Sequence, residues 1–325
     1  MTAQLLISVR LAAVRWCLVI CIASCGGAPA LTPIGQPAPR SPELVSVGHA
    51  VEPLSEASLV ADLTWLTDPA RAGRGSRSPE AQLTARWIAG ELATAGFTPI
   101  LQPIGDAPGQ VNVIAQLGSP TADAVIVMAH YDHLGVIHGE TYAGADDNAS
   151  GVVVALAVAR DLARTVGAPG LPGRVIFLFT GAEEIGLAGA RAYVDAPTVP
   201  LHQIRAVYNL DMVGRNLFAS AGNEEAKLAA VGLAEQPEIF DLATQSSSEA
   251  GLSLLPVRAG ALQILGEARR SDDWIFRDHG VFAVDFSSGI NDDYHRPTDT
   301  LDKVSRPQLV RMAKFLRLLV ERTAR

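Results

Sequence analysis

AVIVMAHYD, residues 124–132, passes from an unbroken apolar run to polar side chains at His130. An apolar run without alternation predicts a strand that helices cover on both faces. VIFLFTGAEE, residues 175–184, makes the same change at its end. Both stretches therefore predict buried strands that end in polar residues.

Predicted strands and predicted helices alternate along the rest of the chain. Further apolar runs predict strands at residues 111–117, 206–210 and 281–286. Apolar residues at helical spacing predict helices at residues 56–66, 79–96, 149–163, 186–194, 224–234, 273–278 and 307–322. This alternation predicts an α/β fold, a three-layer α/β/α domain with a mostly parallel central sheet. The domain would occupy residues 51–325.

The N-terminus has the pattern of a targeting signal. Arg10 and Arg15 form a positively charged segment before the apolar run at residues 16–23, which is too short to cross a bilayer. Ile22-Ala23-Ser24-Cys25 resembles the lipobox of bacterial lipoproteins, whose cysteine becomes lipidated. We therefore expect a lipoprotein signal peptide at residues 1–24, with an ordinary secretory signal as the alternative.

The segment at residues 25–50 is rich in Pro, Gly and Ala, which predicts a tether. Lipid on Cys25 would anchor the exported chain to the bacterial cell envelope, at the periplasmic or outer-membrane face. Without that lipid the chain would be secreted. The sequence predicts no oligomeric state.

The composition narrows the classes of partner. The chain has 325 residues, with 26 Lys and Arg against 34 Asp and Glu and a formal net charge of −8. Nucleic acid is therefore not an expected partner, since its binding depends on clustered basic residues. The three cysteines are Cys17, Cys21 and Cys25. This placement excludes a disulfide scaffold or a structural cysteine–zinc site in the domain.

Polar residues at the ends of the predicted strands form the candidate site, because open α/β sheets bind ligands there. His130 and Asp132 share one face of a strand, so the carboxylate can orient a metal-binding imidazole. Of the neighbours Glu183 and Glu184, one can bind a metal while the other takes a proton from water. The complete candidate set is His130, Asp132, Asp146, Glu183, Glu184, Asp211 and His295.

Each of these segments also has a structural explanation. Residues 130–132 can be an exposed strand end, and residues 146–148 can cap the next helix. Asp211 can be a turn residue, and a single loop histidine such as His295 is more often structural. The remaining histidines are expected to be structural or on the surface: His49, His133, His138, His202 and His279.

Several motifs taken together resemble the M28 family of zinc exopeptidases, which share the phosphorylase/hydrolase-like α/β/α fold. The motifs are AHYDHLG at 129–135, GADDNASG at 144–151, TGAEEIGLAGA at 180–190, NLDMVG at 209–214 and YHRPTDT at 294–300. The resemblance implies two Zn²⁺ ions per chain. It makes His130 and Asp211 ligands of one zinc, and Glu184 and His295 ligands of the other. Asp146 would bridge the two ions.

The same resemblance implies the roles of the other candidates. Glu183 would be the general base for a water that bridges the metals, and Asp132 would orient His130. A non-proline cis peptide would follow the bridging residue, between Asp146 and Asp147.

Two departures from the family pattern concern the substrate. Some members stabilise the oxyanion with a Tyr, and here no Tyr lies between residues 209 and 293. Arg269, Arg270 or a main-chain N–H is the expected substitute. Ser271-Asp272-Asp273 stands where many members have Ser-Asp-His, and its extra acid would cap the next helix or contact a substrate ammonium group.

The resemblance implies an aminopeptidase that releases N-terminal residues from peptide substrates. A dipeptidase or carboxypeptidase-like enzyme would instead hold a substrate carboxylate with Arg. Glutaminyl cyclases share the fold but use one zinc, and the complete ligand set argues against them. A non-catalytic binding relative is the remaining alternative, and the presence of Glu183 argues against it.

Overall fold

The structure is a computed structural model, and it describes residues 52–166, 170–217, 227–264 and 270–325. The predicted signal peptide at residues 1–24 and tether at residues 25–50 lie outside these ranges. Within these ranges, no helix is both long enough and apolar enough to cross a membrane.

Strands of the described residues form one large sheet and one small hairpin. Their bounds are β1 Ile100–Pro103, β2 Val111–Gly118, β3 Ala124–His130, β4 Gly135–Ile137, β5 Glu140–Tyr142, β6 Arg174–Thr180, β7 Ile204–Leu210, β8 Lys227–Val231, β9 Ser253–Val257 and β10 Ala283–Ser287. The sheet has eight strands in the order β1-β2-β6-β3-β7-β10-β8-β9, and β4 pairs with β5. Its central strands β6, β3, β7 and β10 are parallel, while β2 and β8 run antiparallel to β6 and β10. The predicted, mostly parallel sheet is confirmed.

Helices cover both faces of this sheet. Their bounds are α1 Glu56–Thr67, α2 Pro79–Thr94, α3 Gly151–Thr165, α4 Ala188–Asp195, α5 Pro237–Ala250, α6 Ala259–Ile264, α7 Asp273–Asp278 and α8 Arg306–Thr323. Apolar residues of α1, α2, α3, α5 and α8 form one core with the first face, which includes Phe177. Tyr193 of α4 and Phe276 of α7 pack on the opposite face with Met128. The three-layer α/β/α architecture is therefore confirmed.

The start of α2 shows how local sequence fixes an element. The Ser78 hydroxyl accepts a hydrogen bond from the Ala81 N–H at 3.1 Å, and Pro79 occupies the first helical position. A capping serine followed by proline satisfies a free N–H and presets the backbone for a helix. Ser305 caps α8 in the same way.

The predicted helix at residues 224–234 is wrong over its described part. Lys227–Val231 is strand β8, which pairs with β10 and β9. Leu228 and Ala230 are fully buried, whereas Lys227 and Ala229 are partly exposed. Burial that alternates with a period of two is typical of a strand. No prediction covered α5, β1 or β9.

The fold brings the polar segments to one edge of the sheet. The parallel strands β3, β6, β7 and β10 end at His130, Thr180, Leu210 and Ser287. Because the carboxyl ends of parallel strands meet at the same edge, the residues that follow them converge.

Arg74 fixes two of the segments at this edge. Its side chain is fully buried. Its guanidinium donates hydrogen bonds, at 2.8 to 2.9 Å, to the carbonyl oxygens of Leu66, Tyr131, Ala143 and Gly144. A charged donor makes strong hydrogen bonds, so Arg74 holds the chain just before Asp132 and just before the turn at residues 145–150.

Candidate active site

The Asp147 carboxylate lies between two groups of side chains. Its Oδ1 is 3.4 Å from His130 Nε2, and the same nitrogen is 3.5 Å from Asp211 Oδ1. Its Oδ2 is 3.2 Å from His295 Nε2, which is also 3.2 Å from Glu184 Oε2. The two oxygens of one carboxylate therefore contact two separate donor groups.

His133 belongs to the second group, although the sequence predicted a structural or surface role for it. Its Nδ1 lies 2.8 Å from Glu184 Oε1 and 3.8 Å from Asp147 Oδ2. The ring is fully buried and meets the ring of His295 edge-on, with 5.8 Å between the centroids. The sequence signal was its place just after the strand that ends at His130.

Asp146, the residue expected to bridge, lies next to this centre, but its carboxylate belongs to neither group. Its Oδ1 accepts a hydrogen bond from the Gly214 N–H at 2.8 Å. Its Oδ2 accepts one from the Ser288 hydroxyl at 3.2 Å and lies 3.6 Å from Arg215 Nε. The structure places Asp147 between the two groups instead, because successive side chains of the turn point in different directions.

The cis peptide lies one residue later than expected. It joins Asp147 to Asn148, whereas it was expected between Asp146 and Asp147. The Asn148 side chain ties the turn to the segment that carries Asp211. It bonds to the Leu210 carbonyl at 2.7 Å and to the N–H groups of Gly151 and Met212 at 3.1 and 3.3 Å.

Gly144 leaves the space that this turn needs. Its φ is +58°, a conformation that glycine adopts without a steric penalty. A Cβ at this position would lie 2.2 Å from the Asp147 carbonyl oxygen and 2.6 Å from the His133 ring. A side chain here would therefore displace either the turn or His133.

Asp132 contacts His130 mainly through its main chain. The Asp132 carbonyl oxygen is 3.2 Å from His130 Nδ1, while the carboxylate is 4.0 Å away. The carboxylate instead accepts hydrogen bonds from the N–H groups of Glu183 at 3.1 Å and Glu184 at 3.4 Å. It also accepts one from the Ser76 hydroxyl at 2.5 Å. Asp132 thus positions both neighbouring glutamates.

Glu183 lies at the wall of a cavity of about 280 Å³ that His130, Asp147, Asp211 and His295 also line. Burial raises the pKa of Glu183 well above its ordinary value; His130 opposes this shift, and nearby acids add to it. A carboxyl group with a raised pKa in a cleft is suited to accept and return a proton.

Two arginines were expected to stabilise an oxyanion, and the structure describes one of them. Arg270 lines the cavity, whereas Arg269 lies outside the described residues. Tyr294 also lines the cavity and stacks on His295, with 3.9 Å between ring centroids. Tyr294 was not predicted from the sequence, because the tyrosine was expected between residues 209 and 293. Its position directly before His295 was the available signal.

The extra acid Asp273 lies in the first turn of α7 and pairs with an arginine of the same helix. It begins α7, and its Oδ2 accepts a hydrogen bond from Arg277 Nε at 2.8 Å. The preceding Asp272 accepts a hydrogen bond from the Thr180 hydroxyl at 2.5 Å and does not cap α7 through its side chain. Asp273 nevertheless lines the cavity.

The donor chemistry of the centre suits zinc. In each of two sets, ligand atoms lie within 4.8 Å of one another: His130, Asp147 and Asp211, and His133, Asp147 and Glu184. Carboxylates crowded in this way repel one another unless a cation compensates them. Imidazole together with carboxylate is a donor set that suits zinc.

Comparison with known proteins agrees with this geometry. The model of Peptidase family M28 matches residues 112–320. The chain belongs to peptidase family M28. It is 29% identical over 223 residues to a probable lipoprotein aminopeptidase of Mycobacterium tuberculosis, LpqL, and the match covers 61% of this chain and 42% of that protein.

Solved structures show the M28 fold in proteins with different activities. BSAP, a zinc aminopeptidase from Bacillus subtilis, aligns with a TM-score of 0.66 at 17% identity, over 83% of this chain and 95% of that one. A glutaminyl cyclase from Porphyromonas gingivalis aligns with a TM-score of 0.65 at 19% identity, over 84% and 99%. At these identities the likeness shows the fold alone.

Proposed function

We propose that this M28 peptidase is a zinc-dependent aminopeptidase that releases N-terminal residues from peptides and uses two zinc ions per chain. The position of Asp147 carries the proposal. One of its oxygens contacts His130 and the other contacts His295, and Glu183 lines the same cavity.

The two donor groups would each hold one zinc ion. His130 and Asp211 would hold the first, Glu184 and His295 the second, and Asp147 would bridge them. His133 would support the second group through Glu184. Zinc bound there supplies a Lewis acid for the substrate carbonyl and makes water a stronger acid.

Glu183 would accept a proton from the attacking water and return it to the leaving amine. Such general acid–base catalysis contributes roughly 10²- to 10⁴-fold to a rate. Asp132 is a positioning residue for this step, because its carboxylate accepts the N–H of Glu183.

The charge of the cavity supports recognition of the amino end of a peptide. Its lining carries Asp147, Glu183, Asp211, Asp273 and Asp285, together with Arg270. His130 and His295 also line it and would bind zinc as neutral imidazoles. With two zinc ions bound to their ligands, the acidic groups Glu183, Asp273 and Asp285 would still favour the binding of a substrate ammonium group. The name of the relative from Mycobacterium tuberculosis points to the same activity.

A set of three matched peptides tests this proposal: one with both ends free, one acetylated at its N-terminus and one amidated at its C-terminus. We expect cleavage of the free and amidated peptides but not of the acetylated one. A chelator should abolish cleavage, and added zinc should restore it. Cleavage of the free and acetylated peptides but not of the amidated one would indicate a carboxypeptidase. Cyclisation of an N-terminal glutamine with one zinc per chain would indicate a glutaminyl cyclase.

We also propose that lipid on Cys25 anchors the chain to the cell envelope. The lipobox-like sequence at residues 22–25 and the lipoprotein name of the relative support this. Palmitate labelling in bacteria should mark the wild-type chain and not Cys25→Ser. Equal labelling of both chains, or of neither, would contradict it.

A further inference from the structure

One wall of the cavity is a row of side chains on adjacent strands, beyond the proposed zinc ligands. Strand register places Asp285 of β10 beside Asn209 of β7 and Val231 of β8, and Val231 beside Val257 of β9. Asp285, Val231 and Val257 all line the cavity. This wall is therefore apolar except for one carboxylate.

Helical residues extend the apolar lining. Ala259 and Trp274 form a buried cluster with Val231, and both line the cavity. Trp274 is 8% exposed, and its buried Nε1 has no hydrogen-bond partner within the described part of the chain. Indole is the aromatic group that binds cations best, so this lining suits a long aliphatic chain with a positive end.

Asp285 lacks a compensating cation in this lining. Its Oδ1 accepts a hydrogen bond from Asn209 Nδ2 at 2.9 Å, and it has no ion pair with any of the described residues. Arg277 is engaged by Asp273 at 2.8 Å and by Glu235 at 3.3 Å. Arg270 also lines the cavity but is exposed, so water screens its charge.

The surroundings of Asp285 make its negative charge unfavourable without a ligand. Burial raises the pKa of Asp285 well above its ordinary value, and the neighbouring carboxylates Asp273 and Asp211 raise it further, while the Asn209 amide and the charge of Arg277 oppose the shift. Zinc at the proposed site would compensate Asp211, and Arg277 pairs with Asp273, so the charge that is left without an ion pair is that of Asp285 itself. A cationic ligand group would remove the remaining imbalance.

We propose that this cavity receives the side chain of the substrate's N-terminal residue, and that Asp285 binds an ammonium or guanidinium group on that side chain. The inference rests on the proposed aminopeptidase function and names its substrate class, peptides that begin with lysine or arginine. The aliphatic stem of such a residue would lie against Val231 and Val257 while its charge reaches Asp285.

Two peptides that differ only in the first residue test the proposal. One begins with lysine and the other with norleucine, which has the same carbon chain without the ammonium group. For the zinc-loaded wild-type chain we expect kcat/KM to be roughly 10- to 100-fold higher with lysine, the range for a hydrogen bond to a charged group. In Asp285→Asn this ratio should fall to about 1, since the amide is neutral.

Asp241→Asn is the matched control, because it removes the same charge from an exposed position on α5. Its lysine-to-norleucine ratio should equal that of the wild type. A wild-type ratio near one, or an unchanged ratio in Asp285→Asn, would overturn the proposal. An equal loss for both peptides would also overturn it, since Asp285 would then contact the α-amino group or act only on the fold.

A binding measurement separates this proposal from the proposed function. Calorimetry on zinc-loaded Glu183→Gln would compare lysinamide with norleucinamide, with and without Asp285→Asn. Tighter binding of lysinamide that depends on Asp285 would support the cavity assignment even if no peptide were hydrolysed. Hydrolysis of peptides without such a difference would support the aminopeptidase and refute the cavity assignment.

Discussion

The carboxylate of Asp299 accepts hydrogen bonds from the main-chain N–H groups of Asp147 and Asp146, both at 3.0 Å to Oδ2. Arg215 donates to the other oxygen of Asp299 at 3.0 Å. Asp299 is 2% exposed and lies four residues after His295. The loop that carries His295 therefore also fixes the turn that carries Asp147, so the position of each depends on the other.

Asp299→Asn should weaken metal binding without removing any proposed ligand. An asparagine oxygen in the place of Oδ2 accepts both N–H groups without the carboxylate's charge, and its N–H₂ then faces the Arg215 donor. Groups that position metal ligands typically change affinity by roughly 10- to 100-fold, so we expect a loss of that size. The folded state should also lose about 1–3 kcal/mol. Competition with a zinc chelator and chemical denaturation measure the two effects.

The control for this prediction is Asp302→Asn, an exposed acid on the same loop. It should leave both zinc affinity and stability as in the wild type. Zinc affinity that is equal in Asp299→Asn and the wild type would contradict the role given to Asp299.

Substitution of the two adjacent aspartates separates their roles. In Asp147→Asn, metal content measured by mass spectrometry should fall from two zinc ions per chain to at most one, because Asp147 contacts both donor groups. In Asp146→Asn we expect two zinc ions to remain, with stability lowered by about 1–3 kcal/mol through the altered contacts to Gly214 and Arg215. Loss of zinc from Asp146→Asn but not from Asp147→Asn would reverse the assignment.

His133→Gln should lower zinc affinity by roughly 10- to 100-fold, because Glu184 loses the imidazole that contacts it at 2.8 Å. At saturating zinc most of the activity should return. His202→Gln is the control, since His202 is exposed and remote from the contacts at Glu184. Equal zinc affinities for the two variants, measured by chelator competition, would show that His133 has only a packing role.

Much of the fold could be predicted because the buried strands are continuous runs of apolar residues in the sequence. The apolar runs at residues 124–129 and 175–179 are covered on both faces, and strands β3 and β6 follow them closely. Strand β8 was mistaken for a helix because its run is short and its pairing partners are distant in sequence. The local periodicity of a sequence gives no information about pairing with strands that are distant along the chain.

The sequence could not predict which individual side chains of the site contact one another, because this depends on the local backbone conformation. The motifs located the segments that converge, but in a run such as Asp146-Asp147 the backbone conformation decides which carboxylate contacts the histidines. His133 required knowledge of how the chain turns after β3. Asp299 acts through main-chain N–H groups, which no side-chain pattern reveals.

The proposed hydrolysis depends on Glu183 as a proton carrier beside two zinc ions. The most direct test measures kcat for release of the N-terminal residue by Glu183→Gln and by the wild type, with zinc content determined on the same samples. We predict a kcat lower by roughly 10²- to 10⁴-fold in the variant, with two zinc ions per chain in both proteins. A kcat near the wild-type value at the same zinc content would contradict the role of Glu183 as the general base.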